Sequence, residues 1–233
     1  VLARTLTFGP GGYGATAKLG VTTPATSWIF AEGTTTTRFQ TFLTILNPNT
    51  VPAQVTASFY GQTGGSLGSR TLVVPPLSRA NLKLNDVLDA SAIASVLTGN
   101  LPVVVERPMY FGRPNDAGIA GGDVFGRNGA GLSWTFPGGD IGGTNEYLLI
   151  YNPSPKAVSI DATFYGSDGS TATKRLDVPP TVRYNVNVNT LISGLTAQHG
   201  IVLKSANGLG FVAEQTIFAP NFSSLSTSEG FAS

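Results

Sequence analysis

Residues 55–85 are written twice in this chain. Val55, Ala57 and Phe59 lead into Tyr60-Gly61, a Gly/Ser-rich turn follows, and Leu72 and Val74 run to Pro75-Pro76, Arg79, Asn81 and Asn85. About 105 residues further on the order returns: Ile160, Ala162 and Phe164 before Tyr165-Gly166, then Leu176 and Val178 before Pro179-Pro180, Arg183, Asn185 and Asn189. A period this long duplicates whole domains rather than one turn of a solenoid. Each copy of about 100 residues is large enough to bury a core of its own. The division that follows is a tail and linker over residues 1–26, a first unit over 27–131 and a second over 132–233.

Within the copies the dominant period is two. Val55, Ala57 and Phe59 alternate with Thr56 and Ser58, as Ile160, Ala162 and Phe164 alternate with Asp161 and Thr163. That is the signature of a half-buried antiparallel strand, and two copies agreeing in phase strengthen it. A strand over residues 39–47 ends at Asn47-Pro48, and its counterpart over 147–152 ends at Pro153, because proline cannot donate to a ladder. Residues 62–65 and 167–170 supply hairpin turns, with Asp168-Gly169 the clearer signal. Asn85 and Asn189 could cap short helical turns near Val87 and Leu191, although a crossover loop fits as well. Two strands close each unit, over 94–98 and 102–111, then over 200–205 and 210–218. About seven short strands per unit with frequent turns predict an all-β chain of two tandem Ig-like antiparallel β-sandwiches.

Residues 1–26 belong to neither copy. Leu2, Leu6 and Phe8 fall on one side of an alternating stretch, Gly9 to Gly12 break it, and residues 15–21 form a second extended piece. The tail therefore reads as a strand hairpin like the one that closes the first unit over 103–126, but without a unit of its own. An exposed apolar strand invites pairing with another chain. Leu2, Leu6 and Phe8 are accordingly expected at a subunit contact, the tail serving as a donor strand; the rival is a tail folded back on the first unit of its own chain.

Only 12% of residues are charged and the formal net charge is +1, so no field of one sign is present to attract nucleic acid or an anionic membrane surface. No apolar run approaches the roughly 18 residues of a membrane span, which predicts no membrane insertion. The chain opens at Val1 without a signal-like stretch, as a processed product or a trimmed segment would. Cysteine is absent, so core packing must hold the fold without disulfides or thiolate metal sites. Polar positions are filled by Thr, Ser, Asn and Gly rather than lysine, the residue that usually guards sheet edges. An extracellular surface and edges meant to be paired both explain this.

Trp28-Ile29-Phe30-Ala31-Glu32-Gly33, Asn47-Pro48-Asn49, Pro75 to Arg79 and Val105-Glu106-Arg107-Pro108-Met109-Tyr110-Phe111 together resemble a repeat found in tandem in large secreted and surface-attached bacterial proteins. The similarity covers nearly all of the first unit. The second departs from it, with Pro137-Gly138 in place of Ala31-Glu32 and Glu214-Gln215-Thr216-Ile217 in place of the Glu-Arg-Pro-Met run. The resemblance implies an extracellular or cell-surface structural or adhesive role and transfers no catalytic residue.

Chemical motifs fail on context. Gly64-Gly65-Ser66-Leu67-Gly68 spells a nucleophile elbow but lies in a hairpin, where the serine is not presented on a strand-to-helix turn. Gly9-Pro10-Gly11-Gly12-Tyr13-Gly14 spells a dinucleotide loop with no helix after it. His199 is the one histidine and reads as a solvated loop residue. Asn115, Asp116 and Asp123 could gather weakly on calcium, but in no defined loop. Glu32, Arg38, Glu106 and Arg107 suggest an ion pair between strands, with Glu106 recurring as Glu214. Trp28 and Trp134 each have a phenylalanine two residues on, which puts both rings on one strand face and in the core together with Phe59 and Phe164. The residues predict no catalytic set, cofactor or metal. They predict a structural or adhesive subunit that assembles into a homopolymer through its tail. The alternative is a carbohydrate-binding module or adhesin domain for surface glycans, favoured if Tyr13, Tyr60, Tyr110, Tyr147 and Tyr165 form one exposed strip.

Overall fold

The structure is a computed structural model. It describes residues 3–8, 14–112, 120–192, 194–220 and 224–232, with side chains from residue 16 onward except Ala17. In chain order its strands are β1 (Ala3–Phe8), β2 (Gly14–Leu19), β3 (Ala25–Phe30), β4 (Phe39–Asn47), β5 (Ala53–Tyr60), β6 (Ser66–Val74), β7 (Ser78–Lys83), β8 (Ala94–Phe111) and β9 (Ala120–Phe125). They continue as β10 (Ser133–Asp140), β11 (Asn145–Tyr151), β12 (Val158–Gly166), β13 (Thr171–Val178), β14 (Arg183–Asn187), β15 (Gln198–Ser205), β16 (Val212–Phe218), β17 (Leu225–Ser228) and β18 (Phe231–Ala232). The protein is all-β and its strand pairs are antiparallel. It divides into two compact units: Val1–Gly61 with Ser66–Gly129, and Gln62–Gly65 with Ala130–Ser233.

Strand order repeats between the units. In unit 1 one sheet runs β6-β5-β8-β3 and the other β7-β4-β8-β9. In unit 2 the corresponding orders are β13-β12-β15-β10 and β14-β11-β16-β17, with β18 added beside β10. Residues 94–111, expected as two strands, form the single β8. Ala94 to Gly99 pair with β5, while Val104 to Phe111 pair with β4 on the other sheet. A Cβ at Gly99 would lie 2.7 Å from the Leu101 carbonyl, so the chain can turn this corner only with glycine there.

The alternating residues fill the space between the sheets. Trp28, Phe30, Leu43, Ile45, Val55, Phe59, Leu97 and Val105 form one buried cluster in unit 1. Trp134, Phe136, Leu148, Ile150, Ile160, Phe164 and Leu203 are buried in unit 2. Each indole also satisfies its N–H on a backbone carbonyl distant in sequence: Trp28 Nε1 donates to Val103 O at 2.9 Å and Trp134 Nε1 to Phe211 O at 2.8 Å. With both rings at most 1% exposed, neither is a platform for sugar.

A second repeated device is an asparagine at the end of the strand that proline stops. Asn47 Nδ2 donates to the carbonyls of Val51, Val74 and Pro75, and Asn49 N donates to its Oδ1. Asn152 does the same with Lys156, Val178, Pro179 and Ser154 N. Each ties the β4–β5 or β11–β12 connection to the paired prolines. The turn after those prolines takes positive φ at a residue other than glycine, Leu77 at 49° and Thr181 at 52°.

The expected helical turns occur at Leu84–Asp86 and Val188–Leu191, but Asn85 and Asn189 do not cap them. The cap positions are Lys83 and Asn187, and neither makes a side-chain cap bond. The asparagines lie inside the turns and hold the entries to the earlier strands β4 and β11. Asn85 Oδ1 accepts Thr41 N while its Nδ2 donates to Thr35 O and Phe39 O. Asn189 Oδ1 accepts Glu146 N and its Nδ2 donates to Thr144 O. A side chain that receives an amide from another strand and gives to a loop stabilises more than a cap on a single turn, and the longer-range use wins.

Candidate functional site

Three places in the chain carry more chemistry than packing requires. The first is the outer face of β7, β4 and β8 in unit 1, where alternation sends Phe42, Thr44, Arg79, Asn81, Glu106, Pro108 and Tyr110 to one side. They line a depression of about 280 Å³. Phe42 and Tyr110 meet edge to face with centroids 5.9 Å apart, and Lys83 Nζ lies 6.0 Å from the Phe42 ring centre. Thr44 Oγ1 donates to Asn81 Oδ1 at 3.0 Å. Arg79 is exposed at the mouth, whereas Glu106 is only 4% exposed.

Unit 2 carries part of this set in the same register, with Leu149 in the place of Thr44 and Thr216 in that of Pro108. Tyr147 and Phe218 form the edge-to-face pair at 6.0 Å, and Arg183, Asn185 and Glu214 occupy the places of Arg79, Asn81 and Glu106. Here the face is closed: Arg183 is 3% exposed, with its guanidinium hydrogen-bonded to Asn185 Oδ1, and Tyr151 stands buried where unit 1 exposes Leu46.

The second place is a polar cluster inside each core, built from different residues. In unit 1, Arg107 Nη1 donates to Glu32 O at 2.7 Å and Nη2 pairs with Glu32 Oε2 at 3.3 Å, both residues buried. The expected ion pair thus joins Glu32 to Arg107. In unit 2, Gln215 stands in the register of Arg107 and donates to Glu146 Oε1 at 2.7 Å. His199 Nε2 lies 3.3 Å from Glu146 Oε2, and Asp140 N donates to the same oxygen.

His199 is therefore not a solvated loop residue: it sits on β15, buried and paired with Glu146. Burial pushes its pKa down, but the Glu146 carboxylate, then Ala197 O and Asp140, raise it net above its ordinary value. A Cβ at Gly139 would come within 2.5 Å of His199 Nε2, so this pairing needs glycine there. His199 and Glu146 thus form a buried ion pair inside the core of unit 2.

The third place is the N-terminal hairpin. β1 and β2 pair from Ala3↔Leu19 to Phe8↔Gly14 and form a sheet of two strands. They correspond to β8–β9 and β16–β17, whose first strands also pair on their far side with β4 and β11. β2 packs against β9 of unit 1. Leu2 and the side chains of Leu6 and Phe8 lie outside the described residues, as do Tyr13, Asn115 and Asp116; Asp123 is buried on β9. The other four tyrosines of the expected strip are divided among different sheets, Tyr60 on β5, Tyr110 on β8, Tyr147 on β11 and Tyr165 on β12, so these four form no common strip. Among the described residues no helix is long and apolar enough to cross a membrane.

Comparison with known proteins adds a family and a few distant structures. Residues 13–97 match the model of a family of unknown function, DUF5719. No curated protein matches. A Thermotoga maritima protein, 1070, is similar at 22% identity and a TM-score of 0.41 over 46% of this chain and 97% of its own. The Anabaena sensory rhodopsin transducer is similar at 26% identity and a TM-score of 0.33, over 38% of this chain and 86% of its own. A Bacteroides uniformis beta-glucuronidase shares 12% identity at a TM-score of 0.19, with 97% of this chain lying over 25% of that enzyme.

Proposed function

We propose that this chain is a structural subunit of an extracellular or cell-surface assembly: two tandem Ig-like sandwiches whose copies are joined by strand pairing through the N-terminal hairpin. The observation that carries the reading is the position of β1. Its counterparts β8 and β16 are central strands with a partner on each side, whereas β1 has β2 on one side and no ladder on the other among the described residues. An open edge of this kind is a template for another chain. Contact of β2 with β9 holds the hairpin on its own unit, so the part left to donate is the far edge of β1.

The Ig-like assignment rests on the central pairs. Counting within a unit, the second strand pairs with the fifth and the third with the sixth, as B with E and C with F in an immunoglobulin sandwich; the first and seventh strands lie in exchanged sheets. A head-to-tail contact of one edge with a different surface propagates into a filament unless its rotation closes a ring. The surface location is supported by the Thr/Ser/Asn-rich surface and by the resemblance to tandem repeats of secreted proteins. Deleting residues 1–22 and measuring mass by light scattering tests the reading. The intact chain should form polymers and the truncated chain a folded monomer; a truncated chain that still polymerises, or an intact chain that stays monomeric at high concentration, overturns it.

A further inference from the structure

We propose that the depression on the outer face of β7, β4 and β8 in unit 1 is a subsite for one sugar ring of a polysaccharide. The proposal does not rest on assembly of the chain. At about 280 Å³ the depression falls just under the range of roughly 300 to 1,000 Å³ that takes drug-sized ligands, which suits a single ring.

Its lining offers both hydrogen-bonding senses beside an aromatic wall, as a ring with hydroxyls on its rim and C–H groups on its faces requires. Arg79 brings five N–H donors and makes no hydrogen bond among the described residues. Asn81 has its Oδ1 held by Thr44, which orients the amide and leaves Nδ2 to donate. Thr44 Oγ1, whose hydrogen goes to Asn81, keeps lone pairs to accept, and Tyr110 with Phe42 supplies the apolar wall. An apolar peptide would strand the guanidinium and the amide without partners, a costly outcome. Unit 2 is the internal comparison. It keeps the arginine, asparagine and glutamate, but Leu149 stands in the place of Thr44 and Arg183 is turned onto Asn185 and buried, so the corresponding face is closed.

The test is a titration of the full chain by nuclear magnetic resonance with glucose, galactose, mannose, N-acetylglucosamine and glucuronate, each added singly. At least one should move the Asn81 side-chain amide and the Tyr110 and Phe42 ring signals along a saturable curve in the millimolar range. Arg79→Ala and Asn81→Ala, both at exposed positions, should each weaken that sugar by about tenfold or more, the loss expected for a hydrogen bond to or from a charged or well-oriented group. Arg70→Ala, at an exposed position on β6 in the other sheet, should leave it unchanged. Shifts that grow linearly, no shift at those signals with any of the five sugars, or binding that survives both Arg79→Ala and Asn81→Ala overturns the proposal.

Discussion

Replacing Asn47 by alanine should destabilise unit 1 selectively. The side chain is fully buried and its Nδ2 serves three carbonyls, Val51 O at 2.9 Å and Val74 O and Pro75 O at 3.0 Å. Its Oδ1 accepts Asn49 N at 3.0 Å and Asn49 Nδ2 at 2.7 Å. Two hydrogens shared among three acceptors make none of these bonds strong alone. Removing them together strands several buried groups, each worth about 1 to 3 kcal/mol when unsatisfied. A loss of about 3 to 5 kcal/mol follows once the connection relaxes, a large share of the roughly 5 to 15 kcal/mol of a whole domain. Asn47→Asp should cost at least as much, because it sets a carboxylate oxygen against three carbonyls.

The assay follows from the two tryptophans lying one in each unit, Trp28 and Trp134. Fluorine resonance of 5-fluorotryptophan in a urea series reads the units separately. The Trp28 signal should lose its folded form at lower urea while the Trp134 signal keeps its midpoint, and Asn152→Ala should reverse the pattern. A loss under about 1 kcal/mol for both variants, or an equal drop of both signals for either, would refute the reasoning that each asparagine clamps its own unit.

The remaining expectations concern core, charge and strain. Phe59→Ala and Phe164→Ala, both at buried sites, should each cost about 3 to 5 kcal/mol in urea unfolding of their own unit. Because the folded-state pKa of His199 is raised, its contribution to unit 2 is fully present below the unfolded value near 6.5 and is lost as pH rises through the folded value. The Trp134 midpoint should therefore fall across that window while the Trp28 midpoint does not, and Glu146→Gln should flatten the difference. Thr181→Asn should stabilise unit 2 by about 0.5 to 1 kcal/mol in the same assay, since asparagine tolerates positive φ better than a β-branched residue does.

What the sequence made legible was set by period and duplication. Alternation placed the inward residues of β5 and β12, and Asp168-Gly169 marked a hairpin in which Asp168 Oδ1 accepts Ser170 N and Gly169 takes φ +84°. Side chains that work across long separations stayed hidden. Asn47 was legible as the residue before a proline, yet its partners are carbonyls up to 28 residues away. His199, next to a glycine, carried no mark of burial because Glu146 belongs to another strand.

A signal for that pair did exist. In register, Thr41 of unit 1 becomes Glu146, Ile93 becomes His199 and Arg107 becomes Gln215, so three inward positions change together. Reading the copies against each other for joint changes, rather than for identities alone, would have shown a buried charge relocated. The continuity of β8 was obscured by Gly99 and Pro102, which punctuate a sequence as a turn does. Pro102 lies between the two paired segments of the strand, where its missing N–H is not needed.

The claim that copies are joined along β1 is tested most directly by residue-resolved hydrogen exchange of Ala3 to Phe8, compared between assembled and dilute protein. In an antiparallel strand alternate N–H groups face opposite sides, so pairing with β2 alone protects about half of them. Assembly should extend protection to the other half, with no comparable gain along β7 or β14 beyond a single acceptor edge. Protection that remains alternating in assembled material would contradict the claim and place the joint between copies elsewhere.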